Sequence, residues 1–350
     1  MQSKEEIERE LKIYNQEHLL RFWDELNENE RAHLLDDIRS TDLKEIADYY
    51  AHAMTEQQTS SSQELDSMMQ PVSHEQRGSV ASSTGEQLKA YENEGLKAIA
   101  HNQVAVLLLA GGQGTRLGVT YPKGMYSVNL QSNKTLYQIQ AERLIKLKQL
   151  ADRTVLNDVT HAAHNSITWY VMTSEHTKES TERFFASNNY FGLNKSNVIF
   201  FEQFMLPCLT SDGKIILDEK CKLSKSPDGN GGLYKALKQR HIIDDMAQRG
   251  IKFVHIYGVD NILVKMADPA FIGFCITKSA NCGAKVVQKE DPEEKVGVIC
   301  RVNDRYQVVE YSEISQVTRN LREPNGELTY NAGSICNHFM TYDFLNELCK

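Results

Sequence analysis

The chain has 350 residues and carries 39 Lys and Arg against 47 Asp and Glu, a formal charge of −8. That balance argues against a general nucleic-acid binder, so any recognition of phosphate must be local. No apolar run of about 18 residues occurs, and the charged start MQSKEEIERE is unlike a signal peptide, which points to a cytoplasmic protein without a membrane anchor.

Residues 4 to 54 place Leu19, Leu20, Phe22, Trp23, Leu26, Leu34, Leu35, Ile38, Leu43 and Ile46 at helical spacing, which predicts two or three amphipathic helices. The chain then turns polar and serine-rich (EQQTSSSQELDS), and Pro71, Gly78 and Gly85 punctuate the stretch after it, so a mobile connection is expected near 56–86. Helical spacing resumes from Gly85 to Ala100. Beyond it, short apolar runs alternate with helical stretches. Strands are predicted at Val104 to Leu109, Ile167 to Met172, Val198 to Phe201, Phe253 to Tyr257 and Ala284 to Val287. Helices are predicted at Leu136 to Leu150, Glu175 to Ser187 and Gly232 to Gln248. From Gly297 to Tyr311, two strand-like runs flank Asn303-Asp304, a hairpin signal. The pattern predicts an α/β, Rossmann-like fold: a mostly parallel sheet with helices on both faces, preceded by an N-terminal helical region. A boundary near residue 100 would divide 1–100 from 101–350.

In such sheets ligands sit beyond the carboxyl ends of strands. There the first predicted strand empties into LAGGQGTRLG, with glycines at 111, 112, 114 and 118 and a cation at Arg116. Glycine lets the backbone approach a ligand and adopt positive φ, leaving N–H groups for phosphate oxygens, while a guanidinium can pair with two oxygens at once. Pro122-Lys123-Gly124 adds a second cation at a rigid turn. The spacing is neither a GxxxxGK[ST] phosphate loop nor a GxGxxG dinucleotide fingerprint. Asp260, after the strand FVHIYGV, suits a magnesium ion shared with substrate phosphates, and equally suits a turn cap. Seven scattered cysteines without a CxxC pair fit reduced thiols, and His161 with His164 reads as a surface pair rather than a zinc site.

The stretch LAGGQGTRLGVTYPKGMYSV resembles the nucleotide-sugar pyrophosphorylases (UDPGP type 1), and within them the eukaryotic UDP-N-acetylhexosamine pyrophosphorylases. Further matches are Pro227-Asp228-Gly229-Asn230-Gly231-Gly232, Val259-Asp260-Asn261, Glu310-Tyr311-Ser312-Glu313 and Asn331-Ala332-Gly333. The resemblance implies a GT-A-like nucleotidyltransferase core over 101–350 that joins UTP to an N-acetylhexosamine 1-phosphate and releases pyrophosphate. It implies nucleotide contacts from Leu109, Ala110, Gly111, Gly112, Gly114, Thr115, Lys123, Gln203, Gly229 and Asp260. Arg116 and Lys123 would act on the phosphates, Asp260 would hold Mg2+ or Mn2+, and Asn230, Glu310, Tyr311 and Asn331 would hold the sugar.

Several of these residues have ordinary alternatives. Gln203 could be an exposed glutamine after a strand, Glu310 a solvent-facing strand residue, and Tyr311 a core residue. Phe204 stands where the family often has a small residue beside the uracil-binding glutamine. Members of the family continue past Asn331-Ala332-Gly333 by roughly the length of a further domain. The resemblance therefore implies a shortened chain lacking a C-terminal β-rich domain, with a catalytically silent nucleotide-sugar-binding partner as the alternative to an enzyme. A homodimer stays open.

Overall fold

The computed structural model describes residues 4–59, 62–112, 114, 117–156 and 167–350. Thr115, Arg116, His161 and His164 lie outside the described residues. The chain divides into two compact units, 1–61 with 204–228, and 62–203 with 229–350. This division differs from a boundary at residue 100. Residues 62–100 fold with the sheet, and 204–228 fold with the N-terminal helices.

In the first unit, α1 (Lys4–Ile13), α2 (Glu28–Arg39) and α3 (Leu43–Thr59) follow one another as the helical spacing predicts. Asn27 caps α2 reciprocally with Glu30. Ile7, Leu11, Leu19, Leu34 and Ile38 bury their side chains together with Ile215 and Leu223 from the 204–228 segment. Gln16 ties the two stretches through Nε2 to the Gly213 carbonyl at 2.8 Å and through Oε1 to the Ile215 N–H at 2.8 Å.

The second unit opens with α4 (Ser62–Met68) and β1 (Met69–Gln70), which pairs with a later strand, so part of the expected polar connection is regular structure. Thr84 and Gln87 then form the capping box of α5 (Gly85–Ala100). The later strands are β2 (Val104–Leu109), β3 (Thr168–Thr173), β4 (Val198–Glu202), β5 (Phe253–Gly258), β6 (Cys282–Gln288), β7 (Val298–Val302), β8 (Arg305–Val309) and β9 (Ala332–Thr341). They form one sheet in the order β1-β7-β9-β5-β2-β3-β4, with β6 on β9 and β8 on β7. The run β5-β2-β3-β4 is parallel. Its β2 sequence, VAVLLL, is buried on both faces, as an interior parallel strand requires. The remaining pairs are antiparallel, and the β7–β8 hairpin turns through Asn303 and Asp304, both at positive φ.

The parallel register brings the carboxyl ends of four strands level: Leu109 is opposite Met172 and Gly258, and Thr173 is opposite Glu202. Below that edge, α6 (Leu136–Ala151) and α7 (Lys178–Ser187) pack Tyr137 and Phe185 against Trp169. α7 starts three residues later than the spacing suggests, because Ser174 to Thr177 close a turn of their own, with the Ser174 N–H donating to Thr177 Oγ1 at 3.0 Å. The single helix expected over 232–248 is two, α8 (Gly232–Gln239) and α9 (Ile242–Gln248), separated by His241 in the left-handed region. Arg240, at the C-terminal cap of α8, donates its Nε–H to the Glu202 carbonyl. α10 (Pro269–Thr277) crosses α5 with glycines at the contact: a Cβ on Gly273 would lie 1.8 Å from the Tyr91 carbonyl oxygen.

β9 is fastened to β5 by a buried histidine. His255 Nδ1 accepts from the Ala267 N–H at 3.1 Å, which fixes the neutral tautomer, and its Nε2–H donates to Asn337 Oδ1 at 2.6 Å. Burial is the main cause that pushes its pKa down from 6.5 to about 4. A base whose folded pKa is depressed keeps its full contribution above the unfolded value and loses it as pH falls below 6.5 toward about 4. The loss amounts to up to about 3 kcal/mol. Urea midpoints measured between pH 7 and pH 4 should therefore fall less steeply in His255→Gln than in the native chain, and parallel slopes would contradict the assignment.

Candidate functional site

Leu109 ends β2 and Ala110 extends its ladder, donating its N–H to the Met172 carbonyl at 2.9 Å. The Leu109 carbonyl accepts from Val259 N–H, and Gln203 N–H donates to Thr173 O, so β5, β2, β3 and β4 hand their last residues to one rim. Gly111 comes next. Its carbonyl accepts from the buried Ser174 hydroxyl at 2.8 Å, which turns the loop away from the sheet. Among the described residues, the N–H groups of Gly111 and Gly112 make no hydrogen bond. Gly111 is buried, and a buried N–H without a partner is costly unless a ligand supplies one.

The loop glycines serve different ends. A Cβ on Gly111 would meet Gln203 Oε1 at 2.1 Å, and one on Gly114 would meet Val119 Cγ2 at 2.3 Å. Of the two uses expected of these glycines, close approach and positive φ, Gly118 takes the second, at +72°. Gly111 and Gly114 are glycines for room. Gln203 itself is 5% exposed, packed against Gly111 rather than standing free after its strand.

Lys123 comes to the same loop from the Pro122-Lys123-Gly124 turn. A Cβ on Gly112 would stand 3.9 Å from Lys123 Nζ. The ammonium donates to Asp260 Oδ2 at 3.3 Å, with the lysine side chain 19% and the aspartate 67% exposed. So exposed an ion pair contributes about 0–1 kcal/mol to stability, and the lysine can change partners at little cost. Asp260 sits on the turn after β5, where the Asp260 carbonyl accepts from Ile262 N–H and the Asn261 carbonyl from Val264 N–H. Next to it in β9, Cys336 has φ +51° at a bulge where β9 passes β6. Burial, then the Asp260 charge, raises the Cys336 thiol above its ordinary value, so it stays protonated.

The other sequence candidates stand on separate elements. Gly229, at φ +76°, and Asn230 form an exposed turn before α8, where the Asn230 carbonyl accepts from Leu233 N–H. Glu310 comes after β8, its N–H held by Glu313 Oε2 at 2.8 Å and its carboxyl carbon 3.3 Å from where a Cβ on Gly297 would lie. Tyr311 is half-buried, and its carbonyl accepts from Arg319 at 2.6 Å. Asn331 precedes β9, its carbonyl accepting from Lys289 N–H at 2.8 Å. Sequence reasoning missed Ser174, Tyr137 and Arg143. Of these only Ser174 had a local signal, the polar Thr173-Ser174 step at the end of an apolar strand. Among the described residues, no cluster of three or more His, Cys, Asp or Glu could bind a metal alone, and no helix is long and apolar enough to cross a membrane.

The profile of the UTP–glucose-1-phosphate uridylyltransferase family matches residues 44–350. The chain is 54% identical over 346 residues to the UDP-N-acetylhexosamine pyrophosphorylase-like protein 1 of Xenopus tropicalis, covering 98% of this chain and 66% of that protein. It is 44% identical to UDP-N-acetylglucosamine diphosphorylase 2 of Arabidopsis thaliana, covering 97% of this chain and 67% of that one. The crystal structure of the uridine diphosphate N-acetylglucosamine pyrophosphorylase from Trypanosoma brucei superposes with a TM-score of 0.84 at 29% identity, covering 97% of this chain and 67% of that one. The chain thus spans about two thirds of the length of the relatives it matches.

Gly111→Ala tests the packing at this rim. The added methyl must displace the Gln203 amide, so the urea midpoint should drop by an amount worth about 1–3 kcal/mol, whereas Gly112→Ala, whose methyl would make only an ordinary van der Waals contact with Lys123, should leave it nearly unchanged. Equal losses from both would contradict the packing described.

Proposed function

Because the chain belongs to the UTP–glucose-1-phosphate uridylyltransferase family, we propose that it transfers the uridylyl group of UTP to an N-acetylhexosamine 1-phosphate and releases pyrophosphate. The observation that carries this reading is the pair of N–H groups at Gly111 and Gly112, without a hydrogen bond among the described residues, beside the Lys123 ammonium. Oriented amides and a mobile cation at a strand's carboxyl end are what a triphosphate needs.

In the proposed step, a phosphate oxygen of the sugar 1-phosphate attacks the α-phosphorus of UTP. A new oxygen–phosphorus bond forms, the bond from the α-phosphorus to the α–β bridging oxygen breaks, and its electron pair leaves with pyrophosphate. The nucleophile is already anionic near neutral pH, so no side chain need act as a base. The protein's task is in-line alignment and neutralisation of charge. The Gly111 and Gly112 amides and Lys123 would hold the transferred and departing phosphates, with Arg116 proposed as a second cation and Leu109, Ala110, Gly114 and Thr115 shaping the loop. Gln203, whose side-chain amide carries both a donor and an acceptor, would read the uracil edge beside Gly229.

A single exposed carboxylate near this rim fits Mg2+, which usually takes one or two carboxylates plus substrate phosphates. Asp260 would hold it, and when bound it would neutralise charge on the phosphates. Lys123, released from Asp260, would then be free for the phosphate chain. Asn230, Glu310, Tyr311 and Asn331 supply amide, carboxylate and hydroxyl groups suited to the N-acetyl sugar. Seven free cysteines agree with a cytoplasmic setting for this chemistry.

The test is release of pyrophosphate from UTP and N-acetylglucosamine or N-acetylgalactosamine 1-phosphate with Mg2+. Lys123→Ala and Arg116→Ala should each lower kcat by about 10²–10³. No pyrophosphate from the native chain would overturn the reaction, and near-native kcat in both variants would overturn the roles given to the two cations.

A further inference from the structure

Lys123 and Asp260 come from turns 137 residues apart in sequence, and each rests on the same helix. At the start of α6, the Leu136 N–H donates to the Tyr126 carbonyl at 3.0 Å, and the fully buried Tyr137 ring lies under Gly124: a Cβ there would meet Tyr137 Cζ at 2.1 Å. One turn on, Gln140 Oε1 accepts from the Tyr257 hydroxyl at 3.3 Å, reaching β5 just before the Asp260 turn. One turn further, Arg143 Nη1 donates to the Ile262 carbonyl at 2.6 Å and to the Val264 carbonyl at 3.1 Å. Residues 137, 140 and 143 recur at i, i+3 and i+6 along one side of the helix, over about 9 Å of axis.

A guanidinium held by two carbonyls of one short turn is a strong, directional clamp, since a charged donor forms stronger hydrogen bonds than a neutral one. These bonds go to backbone oxygens rather than to a carboxylate, so the charge is spent on backbone geometry. The turn it holds is the one that carries Asp260.

We propose that α6 is the ruler that sets the separation of Lys123 and Asp260, with Arg143 as the positioning residue for the Asp260 turn. Its catalytic consequence rests on the uridylyl-transfer reading, while its structural consequence does not. Arg143 touches neither substrate nor reacting atoms in this assignment. It acts through the 260–264 backbone.

The experiment compares the native chain with Arg143→Met and Arg143→Lys by hydrogen exchange and by steady-state kinetics. In the ligand-free chain, amide exchange over 259–265 should rise at least tenfold in Arg143→Met and less in Arg143→Lys, while exchange over 253–257 stays native. With substrates, kcat should fall at least tenfold with the KM for UTP changing less than threefold, Arg143→Lys should recover part of the rate, and adding Asp260→Asn to Arg143→Met should cost little more than Asp260→Asn alone. Native exchange over 259–265 in both variants overturns the proposal whatever the substrate. So do a kcat within twofold of native in Arg143→Met and losses that multiply with those of Asp260→Asn. A native chain that releases no pyrophosphate, with the exchange result as expected, overturns the reaction and leaves the clamp standing.

Discussion

Two peptide N–H groups, of Gly111 and Gly112, reach the end of a buried strand without a protein acceptor among the described residues, and an ammonium stands beside them. The rest of the second unit holds that arrangement in place. The parallel register of β5, β2 and β3 levels three strand ends, the Ser174 hydroxyl takes the Gly111 carbonyl, and Gln203 fills the space that a side chain on Gly111 would need. A backbone donor is an economical anion ligand because its direction is set by the fold, and it need not lose side-chain freedom when the ligand arrives.

The cation is handled differently. Lys123 rests on an exposed carboxylate, a contact worth little in water, so moving it to a phosphate costs little. What must not move is the pair of turns that carry the two charges. Tyr137 under Gly124 and Arg143 on the Ile262 and Val264 carbonyls place both turns on one helix, which is in turn locked by Trp169 and Phe185. Rigid turns with a weakly held charge between them suit a site that must exchange one anion for another.

The sequence made the strand end that carries the candidate site legible, because an apolar run leading into glycines marks the carboxyl end of an interior strand. The reason for the glycines was not legible. Gly111 is small because of Gln203, far along the chain, and only the folded protein brings them together. The long strand β9 escaped notice because AGSICNHFMT mixes small and polar residues, and its buried Asn337 makes sense only once the His255 ring from the neighbouring strand is there to donate to it. The break at His241 escaped for another reason: apolar residues continue at helical spacing on both sides, and the left-handed residue between them is no glycine. Likewise nothing local marks 204–228 as belonging with the N-terminal helices, since that pairing is made by Gln16 with Gly213 and Ile215. Arg143 looked like any helix-surface arginine, as its two carbonyl partners lie far along the chain.

The most direct measurement is a crystal structure of the chain soaked with UTP. Phosphate oxygens should lie at about 3 Å from the Gly111 and Gly112 nitrogens, with Lys123 Nζ turned from Asp260 to the phosphate chain. A nucleotide bound elsewhere, with both amides facing solvent and Lys123 still on Asp260, would contradict the anion cradle.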